Sequence, residues 1–413
     1  MPVTQENVIV LYLGSHKIVA FEGTIDGNEP RILRHAVMRK PEGFEKGFVT
    51  NIEQAAASIQ SLLKLFVPAR ESEGLSCYVV LGNSKLNTYG YSSSPYFQGV
   101  QRTITAQDIR QVVDQTRSVA TLPLSEFVLQ AFPESFMVND TDGIRNPLRL
   151  EAHRLGVNLK IYTMNFQDFK NLVRVFEALE IEVAGFFPNS LTVSEAVLKD
   201  QEKEDGVILV DMADDSTQLI LWKGGNLCET RALSGFGGVY LSNQMAAEWG
   251  IDPHDAQKVK ERYASLSEES FGEELIPLVA RNGVSASTLK RQIFHEKFCV
   301  QAEKWLAEIF AAAEELAKDH KIHHPYYVLT GGGSSLDGLT EFTQKKFSKS
   351  IRLGRTAKVE AAHELLVDLS LCGALGMFRW LGTNLSKQAQ FFAPKGFIQK
   401  TLASARDWFF ATF

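Results

Sequence analysis

The sequence predicts an internally duplicated α/β protein with two lobes, and three observations carry that prediction. A buried strand, a tight turn, a second strand, another turn and a third strand occur near the start and again ~200 residues later, a separation too long for a solenoid repeat. Helical stripes of apolar residues fill the intervals between these strand-rich segments. The chain has 413 residues, 45% hydrophobic and 22% charged. That is ordinary globular composition, enough for about three compact units or one large bilobed molecule.

In chain order, Asn7 to Leu13 (NVIVLYL) reads as a buried strand, and Gly14 to Lys17 turns the chain into a second, Ile18 to Gly23. After the Asp26-Gly27 turn, RILRHAVMR is a third strand candidate. Residues 84–164 form a separate unit. It opens with the polar, strand-poor stretch Gly82 to Ser94, continues with a helix over Ala106 to Val119, and closes with strands near Phe127 to Phe132 and Leu155 to Tyr162. Asn165 caps a helix whose Phe166, Phe169, Leu172, Val173, Phe176 and Leu179 share one face. The strand pattern then recurs: Gly206 to Asp211, a polar turn, Gln218 to Lys223, and a reversal at Gly224-Gly225-Asn226 into LCETRAL. Trp305, Leu306, Ile309, Phe310, Ala313 and Leu316 mark a core helix that leads to the strand Tyr326 to Thr330 and to Gly331-Gly332-Gly333. Gly382 to Pro394 reads as a linker before a last helical pattern.

The formal net charge is -6, which disfavours non-specific nucleic-acid binding because no basic excess exists to neutralise phosphates. Cys77, Cys228, Cys299 and Cys372 show no metal-finger spacing, and a reduced, cytosolic protein is the expectation. No apolar run reaches the ~18 residues a spanning helix needs. His295-Glu296 begins a zincin-like string that Cys299 breaks, and His320, His323 and His324 read as a solvated loop. No metal site and no catalytic residue is expected.

Glycine turns between buried strands let backbone N–H groups approach phosphates. Three occur: Gly14 to Lys17, the turn after Asp211, and Gly331 to Gly333. With LYLGSHK, the segments KPEGFEKGFVTNIEQAAASI, DGIRNPLRLEAHRLGVNLKIYT and YVLTGGGSSLDGL resemble the actin, Hsp70 and sugar-kinase superfamily, and within it the FtsA family of bacterial cell division. The resemblance spans essentially the whole chain. It implies an actin-like two-lobed fold around a cleft, with an FtsA-type inserted subdomain. On that pattern, residues 1–83, 165–200 and 365–382 form the first lobe's base, and 84–164 its insertion. Residues 201–233 and 301–364 form the second base, and 234–300 its upper subdomain. Residues 383–395 are a linker and 396–413 an amphipathic helix. The implied cofactor is ATP with Mg²⁺, matched by motif to Gly14, Ser15, Lys17, Asp211, Ser216, Gly237, Gly238, Lys260, Gly331, Gly332 and Gly333.

Four positions depart from the family pattern. Tyr12 stands where an Asp holds the Mg²⁺ shell, and a phenol lacks the charge a hard cation prefers. Asp214 and Asp215 replace loop glycines, and Gln257 replaces a Glu near the adenine. A carboxylate ~5 Å from a phosphate charge costs about 3 kcal/mol at an effective dielectric of ~20, although Mg²⁺ held by either Asp could offset that. Weak or absent ATP binding and no useful hydrolysis are expected.

In the last helix Ile398, Leu402, Ala405, Phe409 and Phe413 share a stripe beside Phe397 and Trp408, with Lys400, Ser404 and Asp407 opposite and Phe410 as the misfit. That pattern suits an interfacial membrane helix, with docking on the protein's own body as the alternative. By resemblance, the protein tethers FtsZ to the cytoplasmic face of the inner (cell) membrane at the division site. It is peripheral there, helps recruit the septal division machinery and self-associates into filaments. The FtsZ C-terminal tail would dock on residues 234–300, where Arg291 and Gln292 match a family pair. The alternatives are a PilM-like pilus-assembly platform and an actin-fold ATP-dependent kinase.

Overall fold

The computed structural model describes residues 6–26, 29–65, 76–82, 86–93, 101–267, 271, 273–279 and 286–391. The chain divides into two compact units. One comprises Met1–Thr192, Lys358–Ala361 and Ala374–Phe413; the other comprises Val193–Ala357 and Ala362–Gly373.

The first unit's main sheet runs, edge to edge, Val183–Pro188, Ser76–Leu81, Glu6–Leu13, Lys17–Asp26, Glu29–Arg39. Glu6–Leu13 is antiparallel to Lys17–Asp26, with Leu13 opposite Ile18 across the turn, and parallel to Ser76–Leu81. Apolar side chains from this strand and its neighbours, among them Leu11, Leu13, Ile18 and Val79, are fully covered. They pack with Ala55, Ile59 and Leu62 of the helix Ile52–Leu63 and with Leu172, Val175 and Phe176 of the helix Phe166–Ala178. Each helix starts where an asparagine cap dictates: Asn51 accepts from the Gln54 N–H, and Asn165 from the N–H groups of Gln167 and Asp168.

Within this unit lies a four-stranded antiparallel sheet ordered Thr141–Ile144, Glu126–Val138, Leu155–Asn165, Asn87–Ser93. The helix Ala106–Val119 covers it, begun by a reciprocal cap between Thr105 and Asp108. Ile109, Val112 and Val113 pack with Phe136, Val157 and Ile161. The stretch read from sequence as strand-poor is corrected here: Asn87–Ser93 pairs along Leu155–Asn165 in register from Asn87–Thr163 to Ser93–Val157. Tyr89 and Tyr91, two apart and so on one face, supply the apolar contact that fixes it.

The second unit's main sheet runs Asn226–Ser234, Ser216–Lys223, Val207–Met212, Tyr326–Thr330, Ile351–Leu353. Two antiparallel pairings are followed by two parallel ones, the arrangement already met in the first unit. The duplication seen in sequence is therefore a duplication of topology. The helix Arg291–Asp319 lays Trp305, Leu306, Ile309 and Ala313 against this sheet with no exposure. The Trp305 indole N–H is kept satisfied by the Phe236 carbonyl at 2.8 Å. Helices Gly238–Trp249 and Pro253–Tyr263 and the hairpin Leu275–Val279 with Ala286–Lys290 complete the unit.

Four expected placements differ, the first being residues 358–361, expected in the second lobe but part of the first unit. Residues 193–200, expected in the first lobe, start the second unit: Val193, Ala196, Val197 and Leu198 pack with Val207, Leu209 and Ile220. Arg352 holds this start in place with a charged fork on Glu202 and a 2.9 Å bond to the Val197 carbonyl. Residues 365–373, also expected in the first lobe, belong to the second unit, because Leu369 and Cys372 join the same core. Finally, the expected linker from residue 383 is helical as far as Phe391, being the end of the helix Cys372–Phe391. Its buried first half (Ala374, Leu375, Phe378 and Leu381) gives the helix a nucleus from which to continue. The expected membrane-binding residues Phe397, Ile398, Leu402, Trp408, Phe409 and Phe413 lie outside the described residues.

Candidate functional site

The first glycine turn closes as the sequence requires, with the Gly14 N–H donating to the Lys17 carbonyl at 3.0 Å. The Gly82 N–H, just past the parallel neighbour strand, donates to the Leu13 carbonyl at 2.9 Å. Tyr12 fills the space between these two glycines. A Cβ on Gly14 would lie 2.6 Å from Tyr12 Cε1, and one on Gly82 would lie 2.5 Å from the Tyr12 hydroxyl. The room that glycine provides at this turn is taken by a phenol. Ser15 and Lys17 flank the turn, and the Lys40 N–H closes on the His16 carbonyl at 2.8 Å. Gly82 was not among the sequence candidates; its signal was a lone glycine directly after the apolar strand YVVL.

In the second unit the equivalent turn, residues 213–215, is closed by the Ala213 N–H on the Ser216 carbonyl at 3.0 Å. Gly237 allows the following segment to lie on it, since a Cβ there would sit 2.2 Å from the Asp214 carbonyl oxygen. The helix Gly238–Trp249 begins at this contact. Its first N–H groups, which elsewhere attract anions, are used internally: Gly238 donates to Ala213 and Val239 to Asp214, both at 2.9 Å. Lys260 donates to the Gly238 carbonyl at 2.6 Å. Burial pushes the Lys260 ammonium below the usual lysine range, while the nearby Asp214 and Glu261 carboxylates pull it back up. Asp214, Ser216, Gly237, Gly238 and Lys260 are thus brought together. Gln257 instead bonds Glu261 one turn along its helix, at 3.1 Å.

The glycine triplet follows the strand Tyr326–Thr330. Gly331 has φ +82°, and a Cβ on it would meet Asp211 Oδ1 at 2.4 Å and the Met212 carbonyl at 2.6 Å. Gly333 lies over Met212 and Trp305, whereas a Cβ on Gly332 would have, among the described residues, only Ser370 within 4 Å, at 3.5 Å. Asp337, unremarked in the sequence, ties this loop to the segment that follows the helix carrying Lys260. It accepts from Ser265 at 2.8 Å and Ser267 at 2.7 Å, and those hydroxyls hold its carboxyl below the usual aspartate range.

The expected partner-binding pair, Arg291 and Gln292, opens the helix Arg291–Asp319. Arg291 pairs with Glu274 at 2.6 Å and lies 4.2 Å over the Phe271 ring, while Gln292 bonds Glu296. His320 meets Glu229 at 2.9 Å. Among the described residues no group of His, Cys, Asp and Glu is placed to hold a metal ion, and no helix is long and apolar enough to cross a membrane.

Solved structures similar to this chain include a PilM–PilN type IV pilus biogenesis complex, at TM-score 0.60 and 15% identity over 91% of this chain and 98% of that one. MreB5 of Spiroplasma citri bound to AMPPNP aligns at TM-score 0.55 and 10% identity over 93% and 98%. With the duplicated sheets, these likenesses show an actin-like fold. The cell division protein FtsA of Escherichia coli (strain K12) is 23% identical over 408 residues, covering 97% of this chain and 95% of the relative. That of Pseudomonas aeruginosa is 26% identical over 392 residues, covering 92% and 90%. Residues 89–163 match the SHS2 domain inserted in FtsA, and residues 208–376 match the model of cell division protein FtsA. Those 89–163 boundaries fall on the four-stranded sheet and its covering helix, and the chain belongs to the FtsA family of actin-like cell-division proteins.

Proposed function

We propose that this protein tethers FtsZ to the cytoplasmic membrane during division, as a peripheral, self-associating actin-like protein that does not depend on ATP turnover. The observation that carries the reading is the SHS2-type insertion within an actin-like fold, matched over residues 89–163. The terminal stripe Ile398, Leu402, Phe409 and Phe413 supplies the membrane contact. Its apolar face adds several kcal/mol at ~25 cal/mol per Å² of buried area, which suits reversible attachment. The segment 234–300 takes the FtsZ C-terminal tail, and other division proteins are recruited with it.

The nucleotide loops are read as degenerate. Tyr12 occupies the glycine space of the first turn. The N–H groups of Gly238 and Val239 and the Lys260 ammonium already serve carbonyl acceptors of the protein. Any residual Mg-ATP binding would fall to Gly331 to Gly333 and to Lys260.

Co-sedimentation with anionic liposomes, with and without FtsZ and with and without Mg-ATP, tests all parts together. The full chain is expected to pellet with liposomes and to carry FtsZ with it, equally in both nucleotide conditions. A chain truncated at Pro394 is expected to stay in solution. Full sedimentation of the truncated chain would remove the terminal helix from the proposal, and a requirement for Mg-ATP would remove the degenerate site.

A further inference from the structure

The strand Tyr326–Thr330 has two ends. Its far end runs into Gly331, where ligands of open α/β sheets are found. Its near end, about 17 Å away at strand spacing, opens on a cavity of about 630 Å³, a size suited to a small-molecule ligand. The walls come from the end of the helix Arg291–Asp319, the turn that follows it, and the loop before the strand Ile351–Leu353.

Three lysines line this cavity, Lys318, Lys321 and Lys349, against one carboxylate, Glu314. Lys349 is paired with Glu314, which leaves the excess positive charge with Lys318 and Lys321, both exposed. Tyr327 forms part of the wall. Its side chain is 1% exposed and set edge-on to Phe310 at 5.2 Å, yet its hydroxyl has no hydrogen-bond partner among the described residues. An orphaned buried hydroxyl costs about 1–3 kcal/mol. Phenylalanine would fill the same space without that cost, so the oxygen is unexplained by packing. Burial, reinforced by Glu314, raises its pKa, so it stays protonated; its oxygen is covered, and an anion reaches it only by displacing the side chains above it.

We propose that this cavity is a binding site for a small soluble polyanion carrying two or more phosphate or carboxylate groups. Lys318 and Lys321 neutralise its charge, and an inner oxygen accepts the Tyr327 O–H. The site is distinct from the glycine loops and independent of the division role proposed above.

Isothermal titration of the full chain with pyrophosphate, and separately with citrate, tests this. At least one anion is expected to bind the native chain. The pair Lys318→Ala, Lys321→Ala is expected to weaken that binding about tenfold or more, and Tyr327→Phe about tenfold, the range of one hydrogen bond to a charged group. Tyr327→Phe should melt no lower than the native chain, since it removes an unpaired group, so a lost fold cannot mimic the result. Failure of both anions to bind, or binding that neither variant weakens, overturns the proposal.

Discussion

In the first unit the turn after the opening strand is packed by a side chain, with Tyr12 lying across Gly14 and Gly82. In the second unit the equivalent region is packed by backbone. Gly237 abuts the Asp214 carbonyl, and Gly331 abuts the Met212 carbonyl. The two sheets share one strand order, so the difference lies in what each turn has been given to hold. A turn closed by a movable ring can be changed piecemeal. A turn closed by backbone on backbone cannot, because no neighbour can rotate aside.

The largest expected effect is therefore in the second unit. Gly331→Ala combines a positive-φ penalty with a Cβ 2.6 Å from a carbonyl oxygen. About 3 kcal/mol or more should be lost, or roughly 6–12 °C in the thermal midpoint for a unit of this size. A midpoint within 2 °C or so of the native one would show that the backbone contact yields, against the comparison. A smaller effect is expected in the first unit. Gly82→Ala should cost about 1–3 kcal/mol, and less than half of that should remain in a Tyr12→Ala background. Simple additivity in this cycle would mean that the ring is not what closes the turn.

The smallest effect concerns Asp337. Its carboxyl is held below the usual range by the hydroxyls of Ser267 and Ser265. Its contribution is complete above the unfolded value of about 3.9 and is lost as pH falls through the lower folded value. Asp337→Asn should therefore destabilise at neutral pH, by less than about 1 kcal/mol given its exposure, and the difference from the native chain should vanish toward pH 2–3. A gap that persists unchanged in acid would assign the effect to packing and not to charge.

Much of this architecture was legible because strong local signals agreed. The buried runs VIVLYL and VILVD, the turns that follow them, and the cap Asn165 act over a few residues, whereas the caps Asn51 and Thr105 emerged only in the structure. The strand Asn87–Ser93 was obscured because only Tyr89 and Tyr91 mark its inner face among polar neighbours. Lys260 was found by motif, but its bond to Gly238 joins residues far apart in sequence and leaves no pattern to read. Gly82 and Asp337 escaped for the same reason. The placement of residues 193–198 was missed because an apolar helical stretch does not say which of two sheets it will cover.

The parallel pairing of Val207–Met212 with Tyr326–Thr330 also has a consequence for synthesis. The apolar strand ending at Met212 leaves the ribosome with its antiparallel partner close behind, but its other edge waits until Tyr326 emerges. At ~5–20 residues per second that wait is about 6–23 s, during which an unpaired, hydrophobic strand edge faces solvent. The first unit's opening strand waits a shorter time for Ser76–Leu81. The nascent second unit is thus the stage at which this chain most needs shielding from aggregation, a need that ends when Tyr326–Thr330 pairs along Val207–Met212.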